Sequence, residues 1–464
     1  MLSEPAGSSR FLWLAPIIAI AAALILFYAG WPVKAVITVA IILLCALWWA
    51  TESIPIPVTS LLPLALFPLL GVLSPTQVAE AYGNQFILLL MAGFLLATAM
   101  EYSGSHRRIA LLMVNLFGNT SYRRVVFGFM AAAALLSMWI SNTATTLMLL
   151  PIAIAVLQNA DDKKLEIPLL LGICYAASIG GMGTPIGTPP NLIFMKIYSE
   201  TTGQEFSFAQ WLTWGIPIVL ILLPIAGFHL TRNLGHSGKI DIPQTEKWTS
   251  LQKRVLWVFA LTAFFWITRK EPFGGWSELF GLQYANDASV AMLAVVAMFI
   301  LPDGTGGKLL TWKCANRIPW GILLLFSSGL CIAKAFGESG LAAMLATHLS
   351  GVAVLPLLLV IASICLLVTF LTELTSNTAT TALLMPVLAT VGITIGLDPI
   401  VLMIPAAISA SCAFMLPVAT APNAIIFGSE RVPIQAMIRR GFVLNLLGAI
   451  VVSSFCFLRQ YSWL

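Results

Sequence analysis

The six residues Ser141-Asn142-Thr143-Ala144-Thr145-Thr146 recur, letter for letter, as Ser376 to Thr381. Both copies lie within apolar chain, where hydroxyls and carboxamides are costly unless bonded. Ser, Asn and Thr are strong helix N-cap residues, and each copy precedes an apolar run, Ala144–Leu150 and Ala379–Met385, so each should cap a helix start. A helix N-terminus offers free N–H groups and partial positive charge, which suits an anion. The bend before it leaves carbonyls without helical partners. Together with hydroxyls and the Asn carboxamide, these are hard oxygen ligands for a small hard cation such as Na⁺. Downstream, Gly187-Thr188-Pro189-Pro190-Asn191 and Ala419-Thr420-Ala421-Pro422-Asn423 break a helix again through proline. None of the four elements contains Lys or Arg. An anion bound among them is held by neutral donors, helix ends and bound cations.

The chain around these clusters reads as membrane-embedded. Of 464 residues, 59% are hydrophobic and only 9% charged, against about a quarter charged in a soluble domain. Apolar runs cover 11–29, 34–50, 57–73, 84–100, 166–194, 210–230, 255–268, 287–301, 319–335, 399–427 and 441–458. The first is long, lacks a clear cleavage site and is followed at once by another run, so it reads as a retained helix. Two further regions, 125–158 and 355–396, carry the clusters in their middles. Each is too long for one crossing, and each half is short for a crossing of about 20 residues. A hairpin that enters, turns at the polar cluster and leaves on the same side fits both.

Loop charge supports the hairpins. The basic loops are 101–124 (Arg107, Arg108, Arg123, Arg124), 231–254 (Arg232, Lys239, Lys247, Lys253, Arg254), 302–318 (Lys308, Lys313, Arg317) and 428–440 (Arg431, Arg439, Arg440). With eleven crossings and two re-entrant hairpins, all four loops fall on one side, which the positive-inside rule makes cytoplasmic. The N-terminus is then cytoplasmic and the C-terminus outside. The net charge of +5 resides in these loops and marks orientation, not nucleic-acid binding. The seven cysteines show no CxxC spacing and read as small buried apolar residues. No metal cluster of His, Asp and Glu and no nucleophile–base pair is evident in the spans, which argues against an enzyme.

The duplication extends beyond six letters. Pro151 and Pro386 follow the two copies at the same spacing, PIGTPPNLIF (185–194) matches PVATAPNAII (417–426), and ILLLMAGFLLA (87–97) resembles ILLLFSSGLCIA (322–333). All pairs are offset by 232 to 236 residues, and the crossing count runs 84–100 inward but 319–335 outward. These are inverted repeats, as in many secondary transporters. The organisation reads as an N-terminal helix (1–33), a first repeat (34–230), a cytoplasmic linker (231–254) and a second repeat (255–464). Helices broken in inverted repeats suit alternating access better than a channel. Glu373, within TELTSNT where the first half has Met138, either relays protons or ions or accepts structural hydrogen bonds. Glu52, Glu101 and His348 read as solvated residues near span ends.

The doubled SNT motif and SCAFMLPVATAPNAII (411–426) resemble the divalent anion/sodium symporters, whose bacterial dicarboxylate members are called INDY-type; the resemblance covers essentially the whole chain. It implies a homodimer in a bacterial inner membrane, with a scaffold region and a transport region that slides as an elevator. It also implies Na⁺-coupled uptake of C4-dicarboxylates such as succinate, malate and fumarate, with two or more Na⁺ and no organic cofactor. Carried over by position, Ser137, Ser141, Asn142 and the Gly187 turn form one Na⁺ site; Thr372, Thr375, Asn377 and the Ala419 turn form the second. Asn142, Thr143, Asn377 and Thr378 contact the substrate carboxylates, with Thr188, Thr420, Ala421 and Pro422 on the facing contour of the proline turns. Members similar to this chain often carry two prolines in both turns, whereas the second turn here has Ala421. Some relatives exchange dicarboxylates without sodium, and others carry citrate or sulfate.

Overall fold

A computed structural model of the chain describes residues 9–118, 120–158, 163–234, 247–270, 274–341, 344 and 356–461. The middle of the expected linker (235–246, with Gly235, Gly238, Lys239 and Pro243) and His348 lie outside the described residues. The fold is helical, with no β-sheet among the described residues. Seven described helices are long and apolar enough to cross a membrane, and six further apolar helices are shorter. This is a multi-pass helical membrane protein.

The first half contributes α1 (Ser9–Tyr28), α2 (Val33–Thr51), α3 (Gln85–Ser103), α4 (Ser105–Phe117), α5 (Tyr122–Ser137), α6 (Asn142–Gln158), α7 (Glu166–Gly181), α8 (Pro189–Thr202) and α9 (Phe208–Thr231). The second contributes α10 (Ser250–Ile267), α11 (Asp287–Ile300), α12 (Trp320–Glu338), α13 (Leu357–Thr372), α14 (Asn377–Thr394), α15 (Ile400–Ser409), α16 (Ala421–Gly428) and α17 (Ile434–Tyr461). Two expectations need adjusting. The basic segment 101–124 is largely helical, because α4 restarts immediately after a left-handed Gly104 (φ 69°). The run at 57–73 is divided into Ile56–Thr59 and Leu62–Leu69, with Pro63 at the start of the second piece.

Each SNTATT cluster separates two helices, α5 from α6 and α13 from α14. Each proline turn likewise separates α7 from α8 and α15 from α16. The packing is then exchanged between the halves. Helices α5 and α6 pack on α7, and α13 and α14 pack on α15, within their own repeats. However, α6 also packs on α16 of the other half, while α14 packs on α8. This swap brings all four breaks to one centre. Close helix approach at the breaks relies on glycine: a methyl on Gly180 would lie 2.3 Å from the Ala134 carbonyl oxygen, and one on Gly215 would lie 2.4 Å from that of Met182.

A second contact joins α9 of this central group to α10 and α11. Phe208 stacks on Trp266 at 4.9 Å between ring centroids, and Trp139, beside the first polar cluster, stacks on Phe208 at 6.3 Å. Beyond the rings, Arg269 is buried and bonds Asp287 through Nε at 2.6 Å and Glu205 through Nη2 at 2.5 Å. Lys270 reaches the other Glu205 oxygen at 2.5 Å. Burial works to raise the Glu205 carboxyl, but the hydrogen bonds and charges of Lys270 and Arg269 outweigh it and hold the group below the ordinary carboxylate range. Its contribution to stability is therefore complete above that range and is lost as pH falls through the lowered value. Replacing Arg269 with Met leaves Asp287 buried without its cation, a change that typically costs about 3–5 kcal/mol. Purified Arg269→Met should melt clearly below the wild type in the same detergent, whereas Lys270→Met, at an exposed partner, should shift melting little.

Candidate functional site

The two polar clusters build the same device from equivalent residues. In the first, Ser137 Oγ donates to Asn142 Oδ1 at 2.5 Å across the bend. In the second, Thr372 Oγ1 donates to Asn377 Oδ1 at 2.6 Å and also reaches the Ala410 carbonyl at 3.1 Å. Capping differs between them. Ser141 accepts the Ala144 N–H at 3.2 Å, as its type predicts. Ser376 makes no side-chain cap, and the second turn is tied instead by Thr375 and Thr380, whose hydroxyls lie 2.5 Å apart.

The proline turns close on these tips. Gly181 and Gly187 approach backbone to backbone: a methyl on Gly187 would lie 2.5 Å from the Gly181 carbonyl oxygen. A methyl on Gly181 would sit 2.8 Å from Asn142 Oδ1 and 3.2 Å from the Gly187 carbonyl oxygen. Asn142 Oδ1 and the Gly187 carbonyl therefore converge on one small space that only the missing side chain keeps open. That donor set, neutral oxygens at short separation, is the chemistry of an alkali-cation cradle.

A cavity of about 550 Å³ lies between the four breaks. Its walls include Ser141, Asn142, Thr143, Gly187 and Thr188 from the first half and Thr375, Asn377, Thr378, Ala419, Thr420, Ala421 and Pro422 from the second. Ser137 and Thr372 are buried behind the tips and do not reach the cavity wall. Four helices, α6, α8, α14 and α16, begin at this wall, so their positive dipole ends face one volume. Among the described residues, no Lys or Arg lines it. The two proline turns are not equivalent donors: α8 begins with Pro189 and Pro190, which have no N–H, whereas Ala421 at the matching position of α16 retains one.

Sequence reasoning missed three contributors. Asn191 Nδ2 donates to the Gly181 and Thr184 carbonyls at 3.0 and 2.7 Å, and Asn423 Nδ2 donates to those of Ala413 and Leu416 at 3.1 and 3.0 Å. These fully buried carboxamides brace both breaks in the same way, and their shared place after the prolines was the available signal. Glu52, expected to be merely solvated, is exposed at the end of α2 with a left-handed backbone (φ 46°) and lines the cavity. Glu373 is the acceptor of structural hydrogen bonds: Oε1 accepts the Phe414 and Met415 N–H groups at 2.8 and 2.9 Å and Asn445 Nδ2 at 2.7 Å, and Oε2 accepts the Leu416 N–H at 2.9 Å.

Residues 46–401 match a family described as citrate transporter. The chain is 41% identical over 444 residues to the sodium-dependent dicarboxylate transporter SdcS of Staphylococcus saprophyticus, covering 90% of this chain and 85% of that protein. The chain belongs to the divalent anion/sodium symporter family. The SdcS protein of Staphylococcus aureus is 40% identical, over 91% of this chain and 85% of its own length. The fold is similar to that of the Alcanivorax borkumensis YdaH transporter, with a TM-score of 0.61 at 15% identity over 84% of this chain and 88% of that one. Members of the family to which the chain belongs are transporters, not enzymes.

The Gly181–Gly187 approach yields a test. Gly187→Ala must push the two backbones apart and open the space between Asn142 Oδ1 and the Gly187 carbonyl. The variant should insert and purify as the wild type does, yet transport at least about tenfold more slowly, equivalent to ~1.4 kcal/mol or more in the barrier. Reconstitution into liposomes at equal protein content measures it.

Proposed function

We propose that this protein takes up C4-dicarboxylates across a bacterial inner membrane by Na⁺-coupled symport. The observation that carries the reading is the meeting of four helix N-termini, with no cationic side chain among the described lining residues, beside two hydroxyl–carboxamide pairs. Helix ends and N–H groups attract the two carboxylates, and Na⁺ in the cradles supplies the positive charge that the protein withholds. Binding of the dianion therefore depends on the cations, which is the thermodynamic content of coupling. The names of the SdcS relatives, sodium-dependent dicarboxylate transporters, support the same reading.

In this scheme Ser137, Ser141, Asn142 and the Gly187 carbonyl hold one Na⁺; Thr372, Thr375, Asn377 and the Ala419 carbonyl hold the other. Thr143 and Thr378, with the carboxamides of Asn142 and Asn377, meet the substrate carboxylates from the tips, and Thr188, Thr420, Ala421 and Pro422 meet them from the turns. The two hairpins are re-entrant, from opposite faces, within eleven crossings; the N-terminus is cytoplasmic and the C-terminus outside. The central group of α5 to α9 and α13 to α17 moves as an elevator against the remaining helices, in a homodimer.

Proteoliposomes should accumulate labelled succinate only under an inward Na⁺ gradient, and replacement of Na⁺ by choline should abolish uptake. Uptake that persists in choline and requires internal dicarboxylate would identify an exchanger instead. Asn142→Ala and Asn377→Ala should each remove nearly all transport without loss of expression. Ala421→Pro deletes one N–H facing the substrate. A charge-assisted hydrogen bond contributes about 1.5–3 kcal/mol, so the succinate concentration for half-maximal uptake should rise by about tenfold or more.

A further inference from the structure

The two cradles match in their hydroxyl–carboxamide pair and in their Asn brace, but Ala413 stands in the second where Gly181 stands in the first, and they differ in the ionisable group behind them. Behind the first cradle stands Met138, with its carbonyl accepting the Thr184 hydroxyl and its side chain lying against Gly183. At the equivalent position behind the second cradle stands Glu373, 3% exposed and adjacent in sequence to Thr372, whose hydroxyl bonds Asn377. Among the described residues no Lys, Arg or His lies within ion-pair distance of it. Its donors are three consecutive backbone N–H groups and the buried Asn445 carboxamide. These donors favour the ionised form of the carboxyl against its burial, and they bring no opposite charge of their own.

The same bonds orient the break. A planar trans peptide points its N–H and C=O in opposite directions. With the 414, 415 and 416 N–H groups turned to Glu373, the carbonyls of residues 413, 414 and 415 are turned away from it. On that far side Asn423 Nδ2 holds the Ala413 carbonyl. Glu373 thus contributes a fixed orientation of carbonyl oxygens and an acidic group without an ion-pair partner among the described residues, both beside one cradle only.

We propose that Glu373 is a positioning residue that makes the two cation sites unequal, giving the second cradle the tighter hold on Na⁺ and setting the order in which the cations bind. The inference rests on the sodium-coupled reading above and specifies how its two sites differ. Glu373 touches neither cation nor substrate. With both carboxylate oxygens committed to the break, it acts through charge and through the orientation of peptide groups.

The test is the Na⁺ dependence of thermal stability of the purified protein without dicarboxylate, with choline keeping ionic strength constant. The wild type should be stabilised in two phases, the low-concentration phase belonging to the second cradle. Glu373→Gln should move that phase upward by about tenfold, the effect of removing one nearby charge in a partly polar interior. Glu373→Asp should retain it, because the charge stays. Asn445→Ala should also retain it, because a donor is lost but the charge is not. A purely structural role predicts instead that Glu373→Gln and Asn445→Ala lower melting alike and leave the Na⁺ midpoints where they were, and that result overturns the proposal. If Glu373→Gln does not fold, Thr372→Ala and Ser137→Ala decide. Loss of the low-concentration phase in Thr372→Ala alone supports the inference, and its loss in Ser137→Ala alone overturns it. A wild type that Na⁺ does not stabilise at all, with choline as control, would count against sodium coupling itself and not against the placement of Glu373.

Discussion

The structure depends on one constraint: helices are interrupted at four places inside the packed bundle, and the peptide groups freed there lose their helical partners. Each interruption is held by a buried side chain that replaces the missing helical bonds. Asn191 and Asn423 take two carbonyls apiece, Ser137 and Thr372 bond the Asn carboxamides across the bends, and Glu373 takes three N–H groups at the break that has them to offer.

Exchange between the repeats makes this into one site. If α6 and α14 packed only within their own halves, each tip would face its own proline turn and the two would stand apart. Because α6 lies on α16 and α14 on α8, each tip also faces the other half's turn. In the proposed reading, cation cradles and anion-attracting helix ends then share one volume, and the charge that balances a dianion enters with the cargo. A permanent cation at this depth would hold the dianion as firmly after translocation as before.

The duplication also shows where the halves have diverged. Glycines at 181 and 187 let the first turn close backbone to backbone, whereas alanines occupy 413 and 419 in the second. Pro189 and Ala421 differ by one N–H at the cavity wall, and Met138 and Glu373 differ by an ionisable carboxyl. Pseudo-symmetry supplies the geometry, and these substitutions make the two breaks chemically unequal.

Much of this was legible in the residues. Polar clusters repeated in apolar chain, the prolines downstream of each and the absence of Lys and Arg determine that helices break there and what chemistry the breaks present, because N-capping, proline geometry and desolvation act over a few residues. The helix of 105–117 was not legible, since basic residues among apolar ones fit a loop as well as an amphipathic helix. Nor were the partners of Glu373: its neighbours in sequence do not show that three N–H groups more than 40 residues away will close on it. The bracing by Asn191 and Asn423, the Arg269–Glu205–Asp287 cluster and the exchange of α6 and α14 are likewise products of tertiary packing. Short-range stereochemistry specified which residues break the helices; only long-range packing decided which breaks meet.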